Sequence, residues 1–122
     1  LPIWVAVTGF CLGGAMAIAS ACAVPGLAAA VPFYGVPKPE YVDWSRCDAP
    51  ILGHYGAKDP IIPVERPQAL SHAARAAGRS FTLHFYDAGH AFMREGDPSV
   101  YDAPSASQAW ERTVAFLRER LG

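Results

Sequence analysis

Short apolar segments recur along the chain, separated by glycine, proline and polar residues. Four of them have the length and composition of β-strands: Leu1–Thr8, Leu27–Tyr34, Pro50–Tyr55 and Ser80–Tyr86. The first segment is almost continuously apolar, which is typical of a parallel strand buried on both faces. The last segment alternates apolar with polar positions, as a half-buried strand does. The pattern therefore predicts four strands.

Three further segments have helical patterns. Residues Leu12–Ala23 are apolar on all sides and rich in alanine and glycine, which indicates a buried central helix. A second helix is predicted from about Pro67 to Ala77, with Gly78 as its C-terminal cap. Ser105 and Gln108 have the spacing of a capping box that starts a third helix. Its apolar positions recur at helical spacing: Ala106, Ala109, Trp110, Thr113, Val114, Leu117 and Leu121.

The order of these elements is β-α-β-loop-β-α-β-α. Such alternation gives a parallel sheet with helices on its faces, so the predicted fold class is α/β, with a sheet of about four strands. The chain has 122 residues, which is enough for one domain. Its hydrophobic content of 52% is high enough for a packed core and too high for a disordered chain.

Charge and motif content exclude several classes of partner. The net charge is −1 and no run of lysine or arginine occurs, so we expect no nucleic-acid binding. The apolar stretch from Val5 to Pro25 is interrupted by polar residues and glycines and lacks basic flanks, so we expect neither a signal peptide nor a membrane span. No CxxC or HExxH motif is present, and we expect no metal and no cofactor. The three cysteines are an odd number without framework spacing, which predicts reduced thiols and a cytoplasmic protein.

The segment Gly9-Phe10-Cys11-Leu12-Gly13-Gly14 connects the first predicted strand to the first helix. It has the form of a nucleophile elbow, in which glycines allow a tight strand-to-helix turn around an exposed nucleophile. Cysteine here replaces the more common serine. The backbone N–H of Leu12, at the start of the helix, is positioned to bind a developing oxyanion.

Two further residues follow the ends of predicted strands in the chain order typical of α/β-hydrolase triads. Asp59 follows the third strand and His90 follows the fourth. Because parallel strands end at one edge of the sheet, Cys11, Asp59 and His90 are expected to converge there. Cys11 would act as nucleophile, His90 as proton shuttle and Asp59 as the carboxylate that orients the imidazole.

Other interpretations of the same residues remain open at this stage. Asp59 in Asp-Pro is also a common turn residue, and Asp87 is a competing acid beside the histidine. The histidines at 54, 72 and 84 fall within predicted strands or helices and are interpreted as structural or surface residues. Cys22 and Cys47 are interpreted as small buried hydrophobic residues. The chain as a whole could also be a non-catalytic α/β module, or a redox-sensing protein whose Cys11 is oxidised.

Several segments together resemble the dienelactone hydrolase (carboxymethylenebutenolidase) family, over essentially the whole chain. The resemblance implies an α/β-hydrolase-type sheet and a Cys-His-Asp enzyme that opens an enol-lactone. The reaction associated with the family converts dienelactone to maleylacetate in the bacterial degradation of chlorinated aromatics. The segments that carry it are Gly9–Gly14, Phe33–Gly35, Gly56–Pro63, Tyr86–Phe92 and the final helix.

The resemblance also implies roles for residues around the triad. Arg94 matches an arginine that holds the substrate carboxylate, so the substrate is expected to be anionic, and a guanidinium suits that task. Tyr34 and Phe10 are expected to line the substrate pocket. Ala91, which follows the catalytic histidine, replaces the serine of the best-known member.

The family domain is about twice the length of this chain, and the resemblance implies that residues 1–122 are its C-terminal half. The other half would provide neighbours for the first strand, a second oxyanion N–H, a second substrate-binding arginine and a glutamate near the thiol. A strand of buried composition left at a sheet edge favours self-association. We therefore expect low activity from this chain alone, unless it pairs with a complementary fragment or with itself.

Overall fold

A computed structural model shows the fold of residues 3–122, and Leu1 and Pro2, with which the predicted first strand begins, lie outside the described residues. Strands and helices alternate along the described chain, and two short 3₁₀ turns lie between the second and third strands. The strands are β1 (Val5–Phe10), β2 (Leu27–Phe33), β3 (Ile51–Gly56) and β4 (Phe81–Tyr86). The helices are α1 (Leu12–Ala23), α2 (Glu65–Ala76) and α3 (Ala103–Leu121), and the 3₁₀ turns are Pro39–Tyr41 and Trp44–Arg46.

The strands form one parallel sheet in the order β1-β2-β3-β4, which confirms the predicted α/β architecture. β1 extends two residues beyond its predicted end, because Gly9 and Phe10 still pair with β2. Since the strands are parallel, their carboxyl ends all lie at the same edge of the sheet. Cys11, Asp59 and His90 follow the ends of β1, β3 and β4 at that edge.

Helices cover both faces of the sheet. On one face, Ile18 of α1 and Leu70 of α2 belong to a buried cluster with Phe81 of β4. On the other face, Ala109 of α3 packs in a separate buried cluster with residues of β2, β3 and β4. The alanine-rich sequence of α1 lets the helix lie close to the strands, as Gly14 shows, where an added Cβ would lie 2.5 Å from the Phe33 carbonyl oxygen.

The start of helix α3 differs from the sequence prediction, whereas the end of helix α2 agrees with it. Helix α3 begins at Ala103, and its N-cap is Asp102, whose carboxylate accepts hydrogen bonds from the backbone N–H and the hydroxyl of Ser105. The predicted capping box from Ser105 to Gln108 is therefore wrong, because an acidic residue three positions earlier caps the helix. Helix α2 ends at Ala76, and Gly78 has a φ of 77°, as a C-terminal glycine should.

Two of the three cysteines are not reduced thiols, contrary to the sequence prediction. Cys22 of α1 and Cys47, which follows the second 3₁₀ turn, form a disulfide. They are 25 residues apart in the chain but lie in the same buried cluster of the core, where the fold brings them together. Cys11 is the free and exposed cysteine of the described chain. The disulfide removes the thiol-based argument for a cytoplasmic location.

Strand β1 is more exposed than its apolar sequence predicts. Val5 is 50% exposed and Phe10 is 44% exposed, and Ile3 and Trp4 before the strand are also exposed. The reason is topological, because β2 is the one hydrogen-bonded neighbour of β1 within residues 3–122. An apolar edge strand of this kind can pair with another chain or segment. In the described part of the chain, no helix is long and apolar enough to cross a membrane.

Candidate active site

Cys11 occupies a strained turn between β1 and α1. Its φ of 56° and ψ of −122° lie in a region that residues with a side chain rarely adopt. The Cys11 N–H donates to the Phe33 carbonyl at 3.1 Å, and the Cys11 carbonyl accepts from the Gly14 N–H at 2.9 Å. These bonds fix the turn to both β2 and α1. The sulfur is thereby presented at the carboxyl edge of the sheet, as in a nucleophile elbow.

Three glycines around this turn are required by close backbone packing. A Cβ on Gly9 would overlap the Gly13 backbone, and a Cβ on Gly35 would overlap the Cys11 carbonyl. Gly14 is confined by the Phe33 carbonyl, whereas a Cβ on Gly13 would meet nothing within 4 Å. The sequence motif identifies Gly9 and Gly14 but not Gly35, which is distant in the chain and packs against the elbow from the end of β2.

The structure brings Cys11, His90 and Asp59 into one chain of hydrogen bonds. The Cys11 Sγ lies 3.1 Å from the His90 Nε2, and the His90 Nδ1 lies 2.7 Å from the Asp59 Oδ2. Because an ionised carboxylate only accepts hydrogen bonds, the Nδ1 carries a proton that it donates to Asp59. The Nε2 therefore faces the sulfur, where it can take up the thiol proton.

Asp59 is itself held in place by the backbone. Its Oδ1 accepts the N–H groups of Ile61 at 2.7 Å and Ile62 at 2.9 Å, and its side chain is 1% exposed. The turn-forming role that the sequence left open is thus real, and it coexists with the contact to His90. One carboxylate oxygen closes the turn while the other orients the imidazole.

Asp87, the competing acid, lies elsewhere. Its carboxylate forms an ion pair with the Lys58 Nζ at 2.7 Å, and both side chains are largely exposed. This pair joins the loop after β3 to the loop after β4, which carry Asp59 and His90. The geometry places Asp59, and not Asp87, against the His90 ring.

Leu12 is the first residue of α1. Its backbone N–H has no carbonyl partner within the helix, as for every first-turn amide, and it lies at the positive end of the helix dipole. The exposed Leu12 side chain lines a cavity of about 220 Å³ together with Cys11 and His90. The backbone is therefore suited to stabilise negative charge that develops next to the sulfur.

A second cavity, of about 330 Å³, also has Cys11 in its lining. Its lining includes the three residues that the family resemblance assigns to substrate binding, Phe10, Tyr34 and Arg94. The Tyr34 ring stands edge-on to the His90 ring, with centroids 5.2 Å apart. Arg94 contributes the positive charge of this lining, so an anionic group could bind there while a reacting carbonyl lies at the sulfur.

Burial changes the acid–base chemistry of Tyr34. It raises the pKa of the Tyr34 hydroxyl to about 12, with a smaller contribution from Cys11 and against the opposing effects of the Met93 amide and Arg94. The phenol therefore stays neutral at neutral pH and can act as a hydrogen-bond donor.

Tyr34 and Ala91 also share the rare positive φ, at 39° and 61°, so both loops that face the sulfur have strained backbones.

His54 is a structural residue, one of the two roles expected for it, and it makes a network that no sequence signal reveals. It is fully buried, and its Nε2 donates to the Thr113 Oγ1 at 2.9 Å, because the Thr113 hydroxyl itself donates to the Ala109 carbonyl. Its Nδ1 accepts from the Tyr86 hydroxyl at 2.8 Å, and Tyr86 in turn accepts from Arg112. The network joins β3, β4 and α3.

Among residues 3–122, no group of three or more histidine, cysteine, aspartate or glutamate side chains is arranged to hold a metal ion. The parallel sheet, the elbow and the aligned thiol, imidazole and carboxylate define an α/β-hydrolase-type protein. The sequence pattern of the dienelactone hydrolase family matches residues 2–121, and the chain belongs to this family of hydrolases.

Individual relatives agree with this assignment. A Yersinia pestis protein named "Putative carboxymethylenebutenolidase" is 42% identical over 125 residues, covering 93% of this chain and 46% of that protein. A Klebsiella pneumoniae protein, solved as a "Putative Dienelactone Hydrolase", superposes with a TM-score of 0.80 at 36% identity, covering 88% of this chain and 49% of the other. A dienelactone hydrolase-like promiscuous phosphotriesterase from metagenomic libraries gives a TM-score of 0.81 at 26% identity, covering 96% and 52%. This chain spans about half the length of the curated relatives it matches.

Proposed function

We propose that the protein is a hydrolase of carboxylic esters or lactones in which Cys11 is the nucleophile. The hydrogen-bonded chain from the Cys11 sulfur through His90 to Asp59 is the single observation that carries this proposal. A thiol alone is a modest nucleophile at neutral pH, and an adjacent imidazole that accepts its proton activates it. Membership of the dienelactone hydrolase family supports the same reaction class.

The first half of the reaction would form an acyl-enzyme. The Cys11 thiol gives its proton to the His90 Nε2, and the thiolate attacks the carbonyl carbon of the substrate. The resulting oxyanion accepts a hydrogen bond from the Leu12 N–H, and Asp59 stabilises the imidazolium. When the tetrahedral intermediate collapses, the C–O bond of the ester breaks, and the departing oxygen takes the proton from His90. A thioester on Cys11 remains.

The second half would release the acid. His90, now neutral, removes a proton from a water molecule, whose oxygen attacks the thioester carbonyl. Collapse of the second tetrahedral intermediate breaks the C–S bond and returns a proton to the sulfur. With a lactone as substrate, acid and enol remain in one molecule, as in the conversion of dienelactone to maleylacetate.

The cavity that contains Cys11 and Arg94 favours a substrate that carries an anionic group. Arg94 lies in the lining of the cavity that also contains Cys11 and Tyr34, so a carboxylate on the substrate would lie against the guanidinium. Phe10 offers an apolar surface beside the nucleophile. These residues would select an ester or lactone whose carboxylate is a short distance from the scissile carbonyl.

We further propose that residues 1–122 correspond to the C-terminal half of the family domain and act with a complementary segment. The exposed apolar β1 supports this, because a further strand paired with it would cover Val5 and Phe10. A second copy of the chain could pair with the same edge. Gel filtration and the activity of the chain alone distinguish a self-paired form from one that needs another segment.

Mass spectrometry of the intact chain after reaction with an activated ester tests the function. An acyl adduct on Cys11 that forms and then decays, and that Cys11→Ser and His90→Ala both reduce, is the expected result. A folded chain without any adduct would instead support a non-catalytic module. Formation of a sulfenic acid on Cys11 in dilute peroxide, without ester turnover, would support a redox-sensing thiol.

A further inference from the structure

An additional cavity of about 380 Å³ lies next to the proposed active site and has no part in the mechanism above. Its lining is almost entirely apolar and includes Val36, Pro37, Trp44, Leu70 and Ala73. Arg66 is the one charged residue among the lining side chains. The cavity is an open cleft, and an apolar cleft of this size is typical of a small-molecule binding site.

The wall that contains Trp44 is held rigidly. Arg79 donates from its Nε to the Trp44 carbonyl at 2.8 Å, and the Trp44 ring packs edge-on against Phe81 with centroids 6.1 Å apart. Three residues further on, Cys47 is tied to Cys22 of α1 by the disulfide. This wall is therefore preformed, so a ligand would not have to order it on binding.

The cavity adjoins the reacting centre through one side chain. Val36 lines both this cavity and the cavity of about 220 Å³ that contains Cys11 and His90. The Val36 carbonyl accepts a hydrogen bond from the Arg66 Nη2 at 3.3 Å, which anchors this residue to α2. A molecule whose carbonyl lies at the sulfur would thus reach the apolar cavity of about 380 Å³ by passing over the Val36 side chain.

The cavity lies away from the exposed edge of the sheet. Its walls come from α2 and from the segment between β2 and β3, and α2 packs against β4, at the opposite edge from β1. Among the described residues that line the cavity, none belongs to β1. The lining of the cavity therefore does not depend on the exposed edge at β1.

We propose that this cavity binds a large apolar group, aryl or alkyl, carried by the ester substrate. Hydrolysis of the bound ester rests on the proposed hydrolase function. Binding of the apolar group does not. The apolar group belongs to either the acyl or the alcohol side of the ester. In both cases the cavity would bind it through the same apolar contacts. Esters with such a group would be preferred over small esters of the same reactivity.

Binding is tested separately from catalysis by the fluorescence of Trp44. The variant Trp4→Phe/Trp110→Phe/Cys11→Ala leaves Trp44 as the fluorescent tryptophan and removes the nucleophile. Titration with 4-phenylbutyl acetate should give a saturable change in its emission. A titration without saturation would overturn the proposal.

Two helix variants show whether the ligand lies in this cavity. Ala73 and Ala76 are both exposed on the same helix, but only Ala73 belongs to the lining, so Ala73→Leu adds volume in the cavity and Ala76→Leu adds the same volume outside it. Both residues are good helix formers, so helix α2 should persist, which circular dichroism checks. Ala73→Leu should weaken binding about tenfold, and Ala76→Leu should leave it unchanged. Equal affinities in the two variants would contradict the assignment.

Hydrolysis with Cys11 restored separates the two proposals. Phenylbutyl acetate and ethyl 4-phenylbutyrate carry the apolar group on the alcohol and acyl sides, and ethyl acetate carries none. Ala73→Leu should reduce kcat/KM about tenfold for one of the large esters and leave ethyl acetate unaffected. Binding without hydrolysis of any ester, measured with the complementary segment present, would contradict the hydrolase function and keep the cavity as a binding site. If Ala73→Leu does not alter the hydrolysis of either large ester, the assignment of the cavity is wrong and the hydrolase function stands.

Discussion

Gly35 and Cys11 are in backbone contact, so close that a Cβ on Gly35 would overlap the Cys11 carbonyl oxygen. The contact joins the end of β2 to the elbow after β1, and the Cys11 N–H completes it by donating to the Phe33 carbonyl at 3.1 Å. The conformation of the nucleophile thus depends on a residue 24 positions away, reached only through the pairing of β1 with β2.

Replacing Gly35 by alanine should therefore disturb the elbow and the fold together. The added methyl group has no free space, and overpacking of this kind destabilises a protein by about 1–3 kcal/mol. Gly13→Ala is the matched control, because a Cβ at Gly13 meets nothing within 4 Å. Urea unfolding of the two variants should show a large loss for Gly35→Ala alone. Equal stabilities would mean that the backbone at Gly35 moves away at little cost.

The buried carboxylate that faces His90 should matter far more than the exposed one nearby. Asp59→Asn removes the negative charge that holds the imidazole and its proton, and ester hydrolysis should fall on the order of a hundredfold or more. Asp87→Asn breaks an exposed ion pair with Lys58, whose loss should change activity by less than about twofold. Steady-state hydrolysis of an activated ester by both variants makes the comparison.

The rate at which iodoacetamide alkylates Cys11 provides a second measurement that needs no turnover. Cys11 is the free thiol of the described chain, so labelling reports on its contact with His90. Labelling at pH 7 should be slower in Asp59→Asn and unchanged in Asp87→Asn. If Asp87→Asn were the slower variant, the assignment of Asp59 to the orienting role would be wrong.

Acid should destabilise the fold through His54. Burial, with smaller contributions from His84 and Arg112, lowers the pKa of His54 from 6.5 to about 3. Between these values the unfolded chain binds a proton that the folded chain excludes. The stabilisation is therefore fully present above pH 6.5 and is lost as the pH falls toward 3. The free energy of unfolding should drop by about 1.4 kcal/mol per pH unit within this window.

Urea unfolding at pH 7 and at pH 5 measures this contribution. The wild-type chain should lose roughly 2 kcal/mol between the two conditions because of His54. His54→Gln retains a polar side chain but does not titrate, so its loss should be smaller by that amount. His72→Gln, at an exposed position of α2, should behave as the wild type. The same pH dependence in His54→Gln and wild type would rule out His54 as the source.

The sequence was sufficient for the strand and helix order because each element carries its own period, and for the positions of Cys11, Asp59 and His90 because each follows a strand end. It could not reveal features that depend on the packing of distant segments. The disulfide between Cys22 and Cys47 requires that the end of α1 meet the turn after Trp44. The cap of α3 shows a local limit, since the Ser105–Gln108 spacing matched a capping box while Asp102, three residues earlier, caps the helix.

Arg94 should control the charge preference of the site. It lines the cavity that contains Cys11 and Tyr34 and contributes its positive charge. Because a charge-assisted contact to a carboxylate contributes about 1.5–3 kcal/mol, Arg94→Ala should raise KM for an anionic ester roughly tenfold to a hundredfold. The neutral methyl ester of the same compound should show an unchanged KM, and Arg118→Ala, at an exposed position of α3, should alter neither substrate. If Arg94→Ala reduces hydrolysis of anionic and neutral esters equally, the residue supports the loop after His90 and does not bind the substrate carboxylate.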